Sequence, residues 1–151
     1  MTDPILFPDS TARFGLPLLH VAQAQKELFV NEALIRTDML LQPIVEGEAG
    51  APPLDPKPGD CWIVSGGSAE FERHENDLAC WQQGQWLFLT PTSGMSVYDR
   101  NLDAMRRFKG VWSKPMQIDF PNSGSTVDSE ARDAIEQIIS LLRTSGHLPE
   151  S

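Results

Sequence analysis

The stretch DLACWQQGQWLFLTP, Asp77 to Pro91, sets two short apolar runs on either side of a Gln-Gln-Gly-Gln spacer. With Gln83-Gly84 as a two-residue turn, the glycine supplying the positive φ such turns need, Gln82 faces Gln85 and Trp81 faces Trp86. Side chains alternate along a strand, so Ala79, Trp81, Trp86 and Phe88 share one face, and Leu78, Cys80, Leu87 and Leu89 line the other. Both faces are apolar. A free hairpin would leave one of them wet, so a helix, a second sheet layer or a neighbouring subunit must cover it, with Trp81 and Trp86 expected beneath one of the helices.

Working outward, the chain reads as a meander over residues 59–115. CWIVS (Cys61 to Ser65) precedes the hairpin; MSVYD (Met95 to Asp99) and AMRRF (Ala104 to Phe108) follow it. Lys109-Gly110 then turns into VWSK (Val111 to Lys114), which places Trp112 opposite Arg107. About six short strands predict one antiparallel sheet or a small open barrel. Before the meander lies a proline-rich, extended arm over 1–17, with Ile5, Leu6, Phe7, Phe14 and Leu16 as apolar residues without helical spacing. Residues 18–45 read as helical, in one piece or in two meeting near Asn31, an N-cap candidate, with Val30, Leu34, Thr37, Leu41 and Ile44 as the apolar stripe and Pro43 near the end. Residues 46–58 form a Pro/Gly linker. After the meander comes a second link, 116–125, and an amphipathic helix over 126–146. Asp128 and Glu130 stand in its first turn, Arg143 in its last, and Gly146 is the C-cap candidate. Its stripe is Val127, Ala131, Ala134, Ile138 and Leu141, widened by Ile135, Ile139 and Leu142. The class is α+β.

Composition narrows the function. The 151 residues carry a formal net charge of −9, which opposes the basic footprint that sequence-independent binding to DNA or RNA requires. MTDPILFPDSTARFG has no basic n-region and no apolar h-region, so neither a signal peptide nor membrane insertion is expected. Cys61 and Cys80 are the only cysteines. Cytoplasmic synthesis favours two reduced thiols, and a bridge between them requires that their strands pair.

Candidates for chemistry are few. His74 in FERHENDLA has Glu72, Glu75 and Asp77 nearby, a pattern that a charged loop before a strand also produces. Ser65 to Ser68, SGGS, lacks the lysine and helix of a phosphate loop and reads as a turn. No catalytic set, metal-ligand spacing or cofactor motif emerges. The remaining candidate is a basic and aromatic patch, Arg106, Arg107, Lys109, Trp112 and Lys114, suited to an anionic glycan or an acidic partner.

ARFGLPLLHVAQAQKELFVNEAL (Ala12 to Leu34) resembles the domain of unknown function 2793, a family found in alphaproteobacterial phage and gene-transfer-agent virion proteins. The likeness rests on Gln23, Gln25, Lys26, Asn31 and Glu32 in combination. It continues through PGDCWIV (Pro58 to Val64), the central hairpin with Gly94, RRFKGVW (Arg106 to Trp112) and the final helix. Phe71 to His74 depart from it, standing where the family usually has an aromatic-small-Gly run. The resemblance implies a component of a phage-like particle, made in the bacterial cytoplasm and placed on the particle surface. A head-spike base or adaptor at a capsid vertex fits the length; a tail fibre or receptor-binding module recognising host polysaccharide, and a glycan-cleaving enzyme, are the alternatives. The expected partners are copies of itself, capsid or tail proteins, a longer spike or fibre protein and host surface polysaccharide. Ile5, Leu6, Phe7, Phe14 and Leu16 would dock on the particle, and Gln23, Gln25, Lys26, Ile138 and Leu141 would form oligomer or helix contacts.

Overall fold

The structure is a computed structural model that describes residues 9–19, 26–116, 118–120 and 128–148. It is α+β: helix α1 (Lys26–Leu41), seven strands in two small mixed sheets, and helix α2 (Ser129–Thr144), with no closed barrel among the described residues. The chain forms two compact units. The first comprises Met1–Pro43 and Glu48–Thr90, the second Ile44–Gly47 and Pro91–Ser151.

In the first unit, residues 9–19 close into a loop on α1. Ser10 bridges Pro17, Thr11 N–H donates to Leu16 O at 2.9 Å, and Leu18 N–H donates to Asp9 O at 3.0 Å. The loop is fastened by Asp38, which is fully buried. Its carboxylate accepts from the Thr11 hydroxyl at 2.6 Å and from the Arg13 and Phe14 backbone N–H groups at 3.0 and 2.8 Å. Arg13 also donates to the carbonyls of Met39 and Gln42, satisfying acceptors that the end of α1 leaves open. Part of the proline-rich segment is therefore packed on its own helix. Leu18 and Leu19 lie outside any helix, and α1 runs unbroken through Asn31. Asn31 is not an N-cap: its amide pairs in both directions with Leu19, accepting at 2.8 Å and donating at 3.0 Å. Nor is the buried side of α1 the expected stripe. Val30, Thr37 and Leu41 are exposed, whereas Ile35, Asp38 and Met39 are buried, because the Asp38 anchor fixes which face turns inward.

The sheet of this unit has the order β2 (Glu48–Ala49), β3 (Cys61–Val64), β4 (Leu78–Gln82), β5 (Gln85–Leu89). The expected linker thus supplies a strand, and it pairs parallel to β3, so the arrangement is mixed rather than an antiparallel meander. The hairpin follows the expected register, Trp81 opposite Trp86 and Gln82 opposite Gln85, with Gln83 and Gly84 at φ 50° and 81° as a type I′ turn requires. Strand β3 begins at a turn, Asp60 N–H to Lys57 O at 3.0 Å, with Pro58 second and Gly59 at φ 93° third. Gly59 N–H donates to Trp81 O while Trp81 N–H donates to Asp60 O, both at 2.9 Å, so two residues face one in a bulge led by a left-handed residue. A Cβ on Gly59 would also meet Arg13 Cγ at 3.1 Å. Asn76, at φ 69°, leads a matching bulge with Asp77 across from Val64.

Cys61 and Cys80 stand opposite one another with Cα atoms 4.1 Å apart and form a disulfide, overturning the expectation of free thiols. The register is the reason. The hydrogen-bonded exchange at Asp60 and Trp81 makes the next pair a non-hydrogen-bonded one, where side chains approach most closely.

The second unit has the sheet order β1 (Ile44–Val45), β6 (Ser96–Asp99), β7 (Ala104–Arg107), with β1 parallel to β6. Strand β6 also starts at a glycine-led bulge, Gly94 and Met95 opposite Phe108. Helix α2 is capped by the Asp128 carboxylate on Ala131 N–H at 2.9 Å. It ends with Gly146 N–H on Arg143 O and His147 N–H on Leu142 O, both at 2.8 Å, the paired bonds of a Schellman motif. The Gly146 carbonyl accepts from Met105 N–H at 2.7 Å, and buried Ile139 and Leu148 seat the helix. No helix among the described residues is long and apolar enough to cross a membrane.

Two outcomes follow for stability. Asp38→Asn removes an acceptor lone pair from a buried three-bond cluster and lowers the unfolding free energy by about 3 kcal/mol, read from the denaturation midpoint. Replacing both cysteines by alanine frees a cross-link whose ends are 19 residues apart. It costs about 3 kcal/mol, and added reductant reproduces the loss only in the unmutated protein.

Candidate functional site

The hairpin carries its aromatic face to the surface. Trp62, opposite Ala79 on β3, joins Trp81, Trp86 and Phe88 on that side. The centre of that face is covered by Phe71, in a 3-10 turn (Ala69–Phe71). It is fully buried and meets Trp86 and Phe88 edge to face at 5.0 and 5.8 Å. Phe71 reaches this position because the preceding loop folds tightly over it. Ser68 N–H and hydroxyl both donate to Gly50 O at 3.2 Å, and Gly67 lies against the Phe71–Arg73 backbone where a Cβ would come within 3.0 Å of Glu72 Cα. Val64, Phe71 and Ala79 form the buried centre, with Ala49, Trp86 and Phe88 packed on it.

Beyond that centre the indoles stay partly exposed, rather than packed away beneath a helix. Trp86 is braced on three sides: Trp62 at 5.7 Å and 72°, Phe71 at 84°, and Trp81 at 5.0 Å and 58°. Between them opens a cleft of about 280 Å³, lined by Glu70, Trp81, Gly84, Gln85, Trp86 and Phe88. His74 stacks on Phe88 at 3.7 Å and 7° and pairs with Asp77 at 2.9 Å, so the histidine of the charged loop backs the wall of this cleft and Asp77 holds it there. Glu70 is the one carboxylate lining it among the described residues. Aromatic surface beside one carboxylate is a lining suited to holding a ring.

The other sequence candidates are dispersed or reassigned. Arg106 is buried, 3.2 Å from the equally buried Asp99, and its Nε donates to Ser113 O at 2.8 Å. Asp99 in turn accepts from Asn101 and Leu102 N–H and so holds the β6–β7 turn. Trp112 is buried too, opposite Phe108 at 5.2 Å and not opposite Arg107, because the turn spans three residues, Lys109 to Val111. Burial therefore removes Arg106 and Trp112 from any surface patch and leaves Arg107, Lys109 and Lys114 exposed. Phe14 is exposed and Leu16 half-buried, while Ile5, Leu6, Phe7, Gln23 and Gln25 and the side chain of Lys26 lie outside what the structure describes. On α2, Ile135, Ile138 and Leu141 are 45, 57 and 67 % exposed. No group of three or more His, Cys, Asp or Glu among the described residues is placed to hold a metal.

Sequence reasoning found the indole pair but missed Glu70 as its polar partner and the Gly84–Gln85 tip as the rim of the cleft. The two-residue turn could have placed Gln85 at the rim. Glu70 arrives through the fold of the 65–77 loop, which has no periodicity to reveal it.

An α+β module with a braced aromatic cleft and an uncovered helix stripe is the class these features define. The chain belongs to the DUF2793 family of proteins of unknown function, whose model matches residues 30–113, more than half of its length. No curated protein matches it.

The bracing predicts unequal mutants. Trp86→Ala empties a site packed by three rings and costs about 3 kcal/mol, whereas Trp81→Ala, with one ring partner, costs about 1 kcal/mol. Thermal unfolding of the two variants side by side makes the comparison.

Proposed function

We propose that this protein is a structural component of a phage-like particle of the gene-transfer-agent kind, a homo-oligomeric base or adaptor of a head spike at a capsid vertex that supports attachment to the host surface. The observation that carries the reading is the exposed stripe on α2. Ile135, Ile138 and Leu141 recur at helical spacing on a helix that is capped at both ends and anchored near its C-terminus, yet they face outward. Contiguous exposed apolar surface on an ordered element marks a protein contact. In a spike or fibre that contact is met by copies of the same chain around a symmetry axis. The resemblance to virion proteins supplies the setting, and capsid or tail proteins and a longer spike or fibre protein are the further partners.

The partly exposed cleft supports a receptor-binding contribution alongside assembly, whether the particle location is a head vertex or a tail fibre.

The test has two arms. Light scattering on the purified protein yields an oligomer, and the Ile138→Asp, Leu141→Asp double variant yields a monomer with helix content retained. Electron microscopy of particles from cells carrying this double variant shows vertices without spikes. A wild-type monomer, or spikes that persist with the variant, overturns the reading; loss of tail fibres alone moves the protein from head to tail.

A further inference from the structure

We propose that the cleft between Trp81 and Trp86 binds a single neutral pyranose ring. The site lies within the first unit and does not depend on the assembly reading. Its volume, about 280 Å³, lies at the small end of ligand sites and suits one ring rather than an extended oligomer. The lining has two chemistries. Trp81, Trp86 and Phe88 offer apolar surface, and the Glu70 carboxylate and the peptide groups of Gly84 and Gln85 at the hairpin tip offer hydrogen-bonding groups. A pyranose divides in the same way, with a face of C–H groups that stacks on an indole and a rim of hydroxyls that donate to a carboxylate and exchange bonds with an amide.

The aromatic wall is already set. Trp86 is fixed by Trp62, Phe71 and Trp81, and Phe88 is held between Phe71 and the stacked His74. Binding then orders little that is not ordered beforehand, which is where a weak ring contact usually loses its affinity. Glu70 is exposed, and among the described residues its side chain is engaged in no hydrogen bond or ion pair, so it is open to a ligand.

Charge selects within the sugars. Glu70 lies in the lining, Glu72 and Glu75 belong to the same loop, and the whole chain is at −9. A uronate or other anionic sugar would meet like charge at close range. A quaternary ammonium is the other ligand that aromatic rings and a carboxylate can hold. It has neither donor nor acceptor, and would leave the peptide groups of the hairpin tip without a role, so the neutral sugar fits the complete lining.

The experiment uses the full chain, labelled with ¹⁵N, and follows the indole N–H signals of its four tryptophans. Methyl glycosides of glucose, galactose and mannose are titrated in turn, then methyl glucuronide and tetramethylammonium. Expected is a saturable shift of the Trp81 and Trp86 signals with at least one neutral glycoside, with a dissociation constant on the order of 1 mM, while buried Trp112 stays in place. Glu70→Gln weakens binding about threefold or more, and Trp81→Ala about tenfold or more, each with the Trp112 signal unmoved as the check on folding. The proposal is overturned if no neutral glycoside gives a saturable shift, if only tetramethylammonium or the glucuronide does, or if both variants bind as the unmutated protein does. Because the readout is on the isolated protein, an outcome here leaves the assembly test standing, and a failed assembly test leaves this one.

Discussion

The buried carboxylate of Asp38 organises the first unit. A charge out of water is costly unless its lone pairs are filled, and here one hydroxyl and two backbone N–H groups fill them from residues 11 to 14. Those donors belong to a loop that is otherwise closed by a few hydrogen bonds of its own. Once they close on Asp38, Arg13 reaches the carbonyls at the end of α1, and its side chain lies so close to Gly59, at the entry to β3, that a Cβ there would come within 3.1 Å of it. Loop, helix and sheet thus share one knot. Any change that opens the cluster loosens all three together, since a half-satisfied buried network is worse than none.

A second constraint recurs at strand entries. Gly59, Asn76 and Gly94 each take a positive φ and each lead a two-for-one bulge at the start of β3, β4 and β6. A bulge of this kind sharpens the local right-handed twist. In the central sheet the two bulges sit at opposite ends of the β3–β4 ladder, with the disulfide between them. The ladder is therefore fixed in register at three points along four residues of β3, which makes the attached hairpin a stiff platform for its indoles.

What was readable in advance follows from the range of the interactions. The hairpin register was legible because a Gln-Gly turn and strand alternation are local rules, and Trp81 facing Trp86 needs nothing else. The caps of α2 were legible for the same reason, Gly146 and the acidic first turn being within a few residues of what they satisfy. The inward face of α1 was not. Val30, Leu34, Thr37 and Leu41 have respectable helical spacing, yet Asp38, a charged residue that no hydrophobic pattern selects, decides the orientation through partners 24 to 27 residues away. Two-residue strands such as β1 and β2 are likewise set only by the strands they join. Of the candidate site, the aromatic half was visible in the sequence. The polar half was not, since Glu70 is brought in by Phe71 filling a space that its own neighbours do not announce. Of the basic patch, Arg106 left the surface because it had a carboxylate at Asp99 across the turn, and an arginine that finds a buried partner is no longer surface.

The two exposed features place different demands on the chain, and their weaknesses complement one another. A cleft of about 280 Å³ contacts too little of a polysaccharide to hold it alone. An apolar stripe of three residues is, in turn, modest for one pairwise contact, but symmetry repeats it in every copy. In the proposed oligomer each added copy contributes another cleft, and a ligand with repeating rings meets several at once. Effective concentration then multiplies an affinity that no single site possesses. A small, internally braced cleft on one unit and an exposed apolar helix stripe on the other would then suit the proposed oligomer, since a cleft braced by its own unit presents the same local lining in every copy.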